Sequence, residues 1–147
     1  MRKYNARHKN SSWRQVYILL VYLVGVRVLV PAVPSGGKYL VSPHFGRAPF
    51  FAVVVVEGGS AKLERVERNP VAPTVEEGRG HAVLGFVLSL RPDAVVVKDI
   101  GAGAFYRLRE AGVEVYAVDR HVEVVEAASM LARGELRRLE APTESHG

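Results

Sequence analysis

Short runs of β-branched and aromatic residues recur along the chain, set apart by glycine- and proline-rich breaks. The densest run is 50–57, Phe-Phe-Ala-Val-Val-Val-Val-Glu. It is apolar at successive positions, which predicts a strand covered on both faces. Residues 26–30, Val-Arg-Val-Leu-Val, predict an earlier strand ended by Pro31. Residues 32–38 hold Pro34, Ser35, Gly36 and Gly37 and read as loop. Gly58-Gly59 is a two-residue hairpin signal leading into 61–68. There Lys62, Glu64, Arg65, Glu67 and Arg68 suit an edge strand, where charge discourages further pairing.

The second half alternates helix and strand. Val83, Leu84, Val87 and Leu88 share one face of a helix predicted over 81–91, stopped by Arg91-Pro92-Asp93. Residues 94–98 predict a buried, parallel strand. A helix over 105–111 follows, with Gly112 at its C-terminal cap. Residues 113–118 predict the last strand, and 119–133 the last helix, with Val122, Val125, Ala128 and Leu131 inward. Residues 141–147 read as a frayed tail. The order β-β-β-α-β-α-β-α predicts an α/β domain over 26–140: a three-layer sandwich around a five-stranded mixed sheet.

Charge changes the picture at the amino end. Of 147 residues, 20 are Lys or Arg and 15 Asp or Glu. Arg2, Lys3, Arg7, Lys9 and Arg14 carry the whole excess, so the body of the chain is neutral. Nucleic-acid binding, which needs a basic face on the folded body, is therefore not expected. The basic segment precedes an apolar run over 16–26, which resembles the start of a signal peptide. The run is too short to span a bilayer, which takes about 20 residues, and no small-residue cleavage site follows it. The expectation is a cytoplasmic protein without a membrane segment. Its residues 1–25 are read as a start-site artefact or a loosely packed extension. From Arg27 onward there is one Asn (Asn69) and no Gln, which hints at a hot-living source.

Candidate chemistry centres on 42–51, Ser-Pro-His-Phe-Gly-Arg-Ala-Pro-Phe-Phe. Pro43 and Pro49 stiffen the loop, and Gly46 permits a turn. His44 and Arg47 could then both face an anion or an open metal position. Two further places could hold an anion at a helix start. One is Gly78-Arg79-Gly80-His81, the end of the long connection over 69–80. The other is Gly101-Ala102-Gly103, where Tyr106 stands in place of the third glycine of a dinucleotide fingerprint. The chain has no cysteine, so disulfides and thiolate-held clusters are excluded. It has no G-x-S-x-G, H-E-x-x-H or Walker lysine motif, and Asp99 with Asp119 is too little for a two-metal hydrolase. No enzymatic activity is expected.

The 42–51 stretch resembles the opening motif of the dinitrogenase iron-molybdenum cofactor biosynthesis family. The likeness runs over 26–136, through Glu57-Gly58-Gly59, Asn69-Pro70, Gly78-Arg79-Gly80, Asp99-Ile100-Gly101, Ala104-Phe105, Glu110-Ala111-Gly112-Val113, Val115-Tyr116 and Val122-Glu123. His121 departs from it, standing where many members have Thr or Ser before the final helix. The resemblance implies a ribonuclease-H-like fold without nuclease function. It implies binding or carriage of an iron–sulfur or iron–molybdenum cluster, or its precursor, without turnover. His44 matches the histidine of the family's cofactor loop and is the implied metal ligand. Ser42, Phe45, Gly46, Arg47, Arg79, Gly80, His81, Gly101 and Gly103 would frame the cluster. Cluster-donating and cluster-accepting proteins would be the partners, and the protein a monomer or weak homodimer. Two other readings stand beside this: a small-anion or nucleotide-binding regulatory module built on the Gly80 and Gly101 helix starts, and a protein–protein scaffold.

Overall fold

The computed structural model describes residues 25–144; the amino-terminal extension lies outside them, apart from Gly25. The elements are β1 (Val26–Ser35), β2 (Lys38–Val41), β3 (Phe50–Glu57), β4 (Ser60–Arg68), α1 (Arg79–Ser89), β5 (Ala94–Val97), α2 (Ala102–Glu110), β6 (Glu114–Ala117), α3 (Val124–Ala132) and β7 (Arg137–Arg138). The sheet is mixed, with strand order β4-β3-β1-β5-β6-β7, and β2 pairs with β1 off that path. β1 runs parallel to β5, and β5 to β6; the remaining pairs are antiparallel.

The period-two alternation of the strands sorts their side chains onto two faces. Val28 and Val30 of β1, Val54 and Val56 of β3 and Val96 of β5 point one way, where Val124, Ala127, Ala128 and Leu131 of α3 cover them. Leu29, Phe51, Val53, Val95 and Val97 point the other way, against Val83, Leu84 and Val87 of α1 and Phe105 and Leu108 of α2. The three-layer α/β expectation therefore holds, and the strands are apolar throughout because both faces of the sheet are covered.

Among the described residues the sheet has seven strands, not five. Pro31 does not end β1, which runs on to Ser35 and turns through Gly36-Gly37 into β2. Proline is tolerated only where no ladder donor is required. Along this side of β1, β5 pairs with Val28 and Leu29, and β2 only from Ala32 onward, so Pro31 sits in the gap between partners. Pro34 lies beyond the end of the β3 pairing at Ala32. Gly36 and Gly37 have φ of 55° and 82°, the left-handed pair that a tight hairpin demands. β7 is the second addition, extending the sheet beyond β6.

Helix boundaries also move. α1 starts at Arg79, and α2 at Ala102 rather than at Phe105, so Gly101 is a helix cap and Gly103 lies in the first turn. α3 starts only at Val124 because the preceding residues are extended: the Val41 N–H bonds to the Val122 carbonyl (3.0 Å), and Leu40 bridges to Glu123. The segment over 141–144 is not frayed. The Thr143 and Glu144 N–H groups both donate to the Ile100 carbonyl, at 3.0 and 3.1 Å. Among the described residues no helix is long and apolar enough to cross a membrane.

Candidate functional site

The register puts the carboxyl ends of β1, β5 and β6 at one edge of the sheet, together with the start of β3 and the end of β4. The loop over 42–49, the connection over 69–78 and the segments leading into α2 and α3 therefore all open there. Loops at this edge of an open α/β sheet are where ligands bind in general.

The 42–49 loop is tied down from several directions. Ser42, 2 % exposed, accepts the His44 N–H (3.2 Å) and donates its hydroxyl to the His44 carbonyl (2.8 Å). The Ser42 N–H donates to the Pro31 carbonyl at 2.7 Å. Phe45 is buried, edge-on to Phe51 with ring centroids 5.7 Å apart. Asn69 donates through Nδ2 to the Gly46 and Ala48 carbonyls, at 3.1 and 2.8 Å, and accepts the Val71 N–H at 3.0 Å. Arg79 reaches back from the first turn of α1 to the carbonyls of Gly46 (3.1 Å), Ala72 (2.6 Å) and Val75 (3.4 Å). With its backbone held at Ser42, Gly46 and Ala48, the loop carries His44 outward. The His44 residue is exposed, and its imidazole has no hydrogen-bond partner among the described residues.

Several expected site residues thus have another job. Arg79 is 9 % exposed and its guanidinium serves loop carbonyls, which makes it a latch and not a surface anion clamp. Its Nε is buried without a hydrogen-bond partner among the described residues. Phe45 anchors the loop in the core. Gly46 has no positive φ, and a Cβ there would meet nothing within 4 Å; its carbonyl is the part that matters. In Gly78-Arg79-Gly80 the glycine that the backbone requires is Gly78, the α1 cap, with φ of 73°. Gly80 has open space around it.

Arg47 is half-exposed and ion-paired with Glu76 at 2.5 Å. His81 is exposed and meets Arg107 of α2 at its Nδ1. Gly101 caps α2 in an extended conformation without a side-chain cap, and no acidic residue occupies the first turn of that helix. Its amide end remains complementary to negative charge. Ile100, just before it, is fixed at both polar atoms by Thr143: the Ile100 N–H donates to Thr143 Oγ1 at 2.8 Å. Asn69, Glu76 and Thr143 did not stand out as site residues in the sequence. Asn69 had one signal: it is the single Asn of the folded body, placed before a proline in a long connection.

No group of three or more His, Asp or Glu residues capable of holding a metal ion occurs among the described residues. The chain has no cysteine, so a cluster assembled on protein thiolates would find no ligands in it. A shallow groove lined by Val55, Glu57, Ser60, Lys62, Leu63 and Glu64 lies at the opposite end of the β3–β4 hairpin from this loop.

The model of the family described as dinitrogenase iron-molybdenum cofactor matches residues 27–134. The chain belongs to that family. An uncharacterised protein of Methanocaldococcus jannaschii is 26 % identical over 118 residues, spanning 80 % of this chain and 98 % of that one. Among solved structures, the apo form of the orange protein from Desulfovibrio gigas superimposes with a TM-score of 0.65 at 25 % identity, covering 80 % of this chain and 96 % of that one. A candidate NifB protein from Thermotoga gives 0.63 at 28 % identity, covering 81 % and 97 %. The matched segment contains the whole 42–49 loop and the α2 cap.

Proposed function

We propose that this protein binds and carries a preformed iron–molybdenum or iron–sulfur cluster, or its precursor, as cargo in metallocluster biosynthesis, and performs no turnover. The observation that carries the reading is the exposed imidazole of His44, without a hydrogen-bond partner among the described residues, on a loop whose backbone is fixed by Ser42, Asn69 and Arg79, in a chain of this family. A preformed cluster needs few ligands from the protein. One neutral imidazole can coordinate an exposed metal atom. Arg47 and the amide end of α2 complement the negative charge that such a cluster's sulfides and acid groups bring.

Holding the loop in advance reduces what binding must spend on ordering it. Arg47 has to leave Glu76 to meet the cargo. A surface ion pair of this kind is worth about 0–1 kcal/mol, so a polyanion displaces it readily. The proposal includes a ribonuclease-H-like fold without nuclease function. The remaining parts of the proposal are a cytoplasmic location, monomer or weak homodimer status, and transient contact with a cluster donor and a cluster acceptor. Nucleic acid has no role in it.

The test is anaerobic titration of the apo-protein with an isolated iron–molybdenum or iron–sulfur cluster, followed by absorbance, beside His44→Ala. Saturable uptake by the wild type and its loss in the variant support the reading. Equal uptake by both removes His44 from the site. No uptake by either refutes the carrier. The uncapped amide end of α2 favours a small-anion module as the second reading; a thermal shift with phosphate compounds that is independent of any metal and lost in Arg47→Ala is what that reading expects.

A further inference from the structure

The match to the family stops at residue 134, but the fold does not. Beyond it the chain adds β7 to the sheet edge, buries Leu139 and returns to the site edge. The Leu139 N–H donates to the Val115 carbonyl at 2.9 Å, and the Leu139 side chain joins the cluster under α1 and α2. Four residues later, Thr143 closes on Ile100. Its Oγ1 accepts the Ile100 N–H (2.8 Å) and lies 3.3 Å from the Ile100 carbonyl. The Thr143 and Glu144 N–H groups donate to that same carbonyl. Ile100 is the residue before the α2 cap, and its side chain is buried. It therefore has a fixed side chain and a backbone satisfied at both polar atoms from outside its own loop.

We propose that Thr143 is a positioning residue: a carboxyl-terminal strap, outside the family's matched segment, sets the entry into α2 and with it the amide end that faces the cargo. The proposal rests on the carrier reading above. The physical argument is local. Between Val97, the end of β5, and Ala102, the start of α2, the chain must turn from the sheet into the helix through Gly101, which restrains the backbone least of all residues. Without an acceptor for the Ile100 N–H and donors for its carbonyl, that turn is left to glycine alone. A helix end binds an anion well only when its amides are already aimed. Thr143 touches neither cargo nor metal; it acts through the Ile100 backbone.

Hydrogen exchange on the apo-protein and anaerobic cluster titration, applied to Thr143→Val, Thr143→Ser and the wild type, test this. Val keeps the shape and removes the hydroxyl, whereas Ser keeps the hydroxyl. The expected result is faster exchange at Ile100 and through 101–104 in Thr143→Val, cluster affinity lowered about 5–10-fold, and both restored in Thr143→Ser. That fold-change corresponds to the loss of one hydrogen bond, about 1 kcal/mol. Unchanged exchange in Thr143→Val overturns the strap whatever the cargo does. Faster exchange with unchanged cluster affinity overturns its role in positioning. If the wild type takes up no cluster, the carrier reading falls and the strap's effect on cargo falls with it, while the exchange data still decide whether Thr143 orders the loop.

Discussion

Replacing Asn69 by Ala should loosen the His44 loop at a cost that can be worked out bond by bond. Asn69 is 9 % exposed, and its amide makes two donations, to Ala48 (2.8 Å) and Gly46 (3.1 Å), while its carbonyl accepts from Val71 (3.0 Å). Each net hydrogen bond contributes about 0.5–1.5 kcal/mol. The Gly46 carbonyl keeps Arg79, so its loss is small. Ala48 is buried, and the bond to its carbonyl is itself buried, so this acceptor is left without a partner and adds a desolvation penalty of about 1 kcal/mol or more. The sum is a loss of about 2–4 kcal/mol. For a domain of this size, each kcal/mol lowers Tm by about 3–5 °C. Urea unfolding followed by circular dichroism measures the difference. Asn69→Asp is the control. It keeps an acceptor for Val71 but presents carboxylate oxygens to two carbonyls, so it should be at least as damaging at neutral pH. A loss below about 0.5 kcal/mol in Asn69→Ala would refute the part Asn69 is given in holding the loop.

Other consequences follow from the same geometry. His44→Ala should change Tm by less than about 2 °C, because the exposed imidazole has no bonding partner among the described residues; a larger drop in thermal denaturation would mean that His44 supports the fold. Glu76→Gln should free Arg47 and tighten cluster binding about two- to five-fold at low salt, with the gain fading as ionic strength rises; titrations at two salt concentrations would show it. Gly112→Ala should cost about 1–2 kcal/mol through its φ of 83° alone, since a Cβ there meets nothing within 4 Å, and chemical denaturation would register the loss. Arg133 holds the carboxyl of Glu135 below its usual value through a direct hydrogen bond. The depressed value makes this a stabilising contribution present above the ordinary carboxylate pKa and lost as pH falls through the lowered one. Glu135→Gln should therefore flatten the acid limb of a stability–pH curve slightly.

The parts of the fold that were legible in the sequence are those where one physical signal dominates. The unbroken apolar run of β3 could only be a strand covered on both faces, and Gly58-Gly59 forced its hairpin, with φ of 60° and 81°. The prolines misled because the rule against them concerns donors that a partner strand needs. Whether a partner is present at Pro31 and Pro34 is a matter of register, which a single chain does not display. β2 and β7 are too short to carry a period of their own. Gly101 and Gly103 looked like loop because glycine disfavours helix interiors, yet a cap and a first turn tolerate it.

In the site, the 42–51 stretch stood out, but the direction of its side chains did not. Phe45 turned inward against Phe51, while Arg47 found Glu76 and the Gly46 carbonyl found Arg79, both contacts across many residues of sequence. Thr143 was read as tail because nothing in Ala-Pro-Thr-Glu indicates that Ile100 lacks partners until the two meet.

In the proposed carrier the loop over 42–49 presents His44 to a metal cluster. Pulsed EPR of the cluster-loaded protein, grown with 15N-labelled histidine, reads that bond. Hyperfine coupling from one histidine nitrogen is expected, absent when His44→Ala is loaded in the same way. A loaded cluster with no histidine coupling, or with coupling that survives His44→Ala, would contradict it.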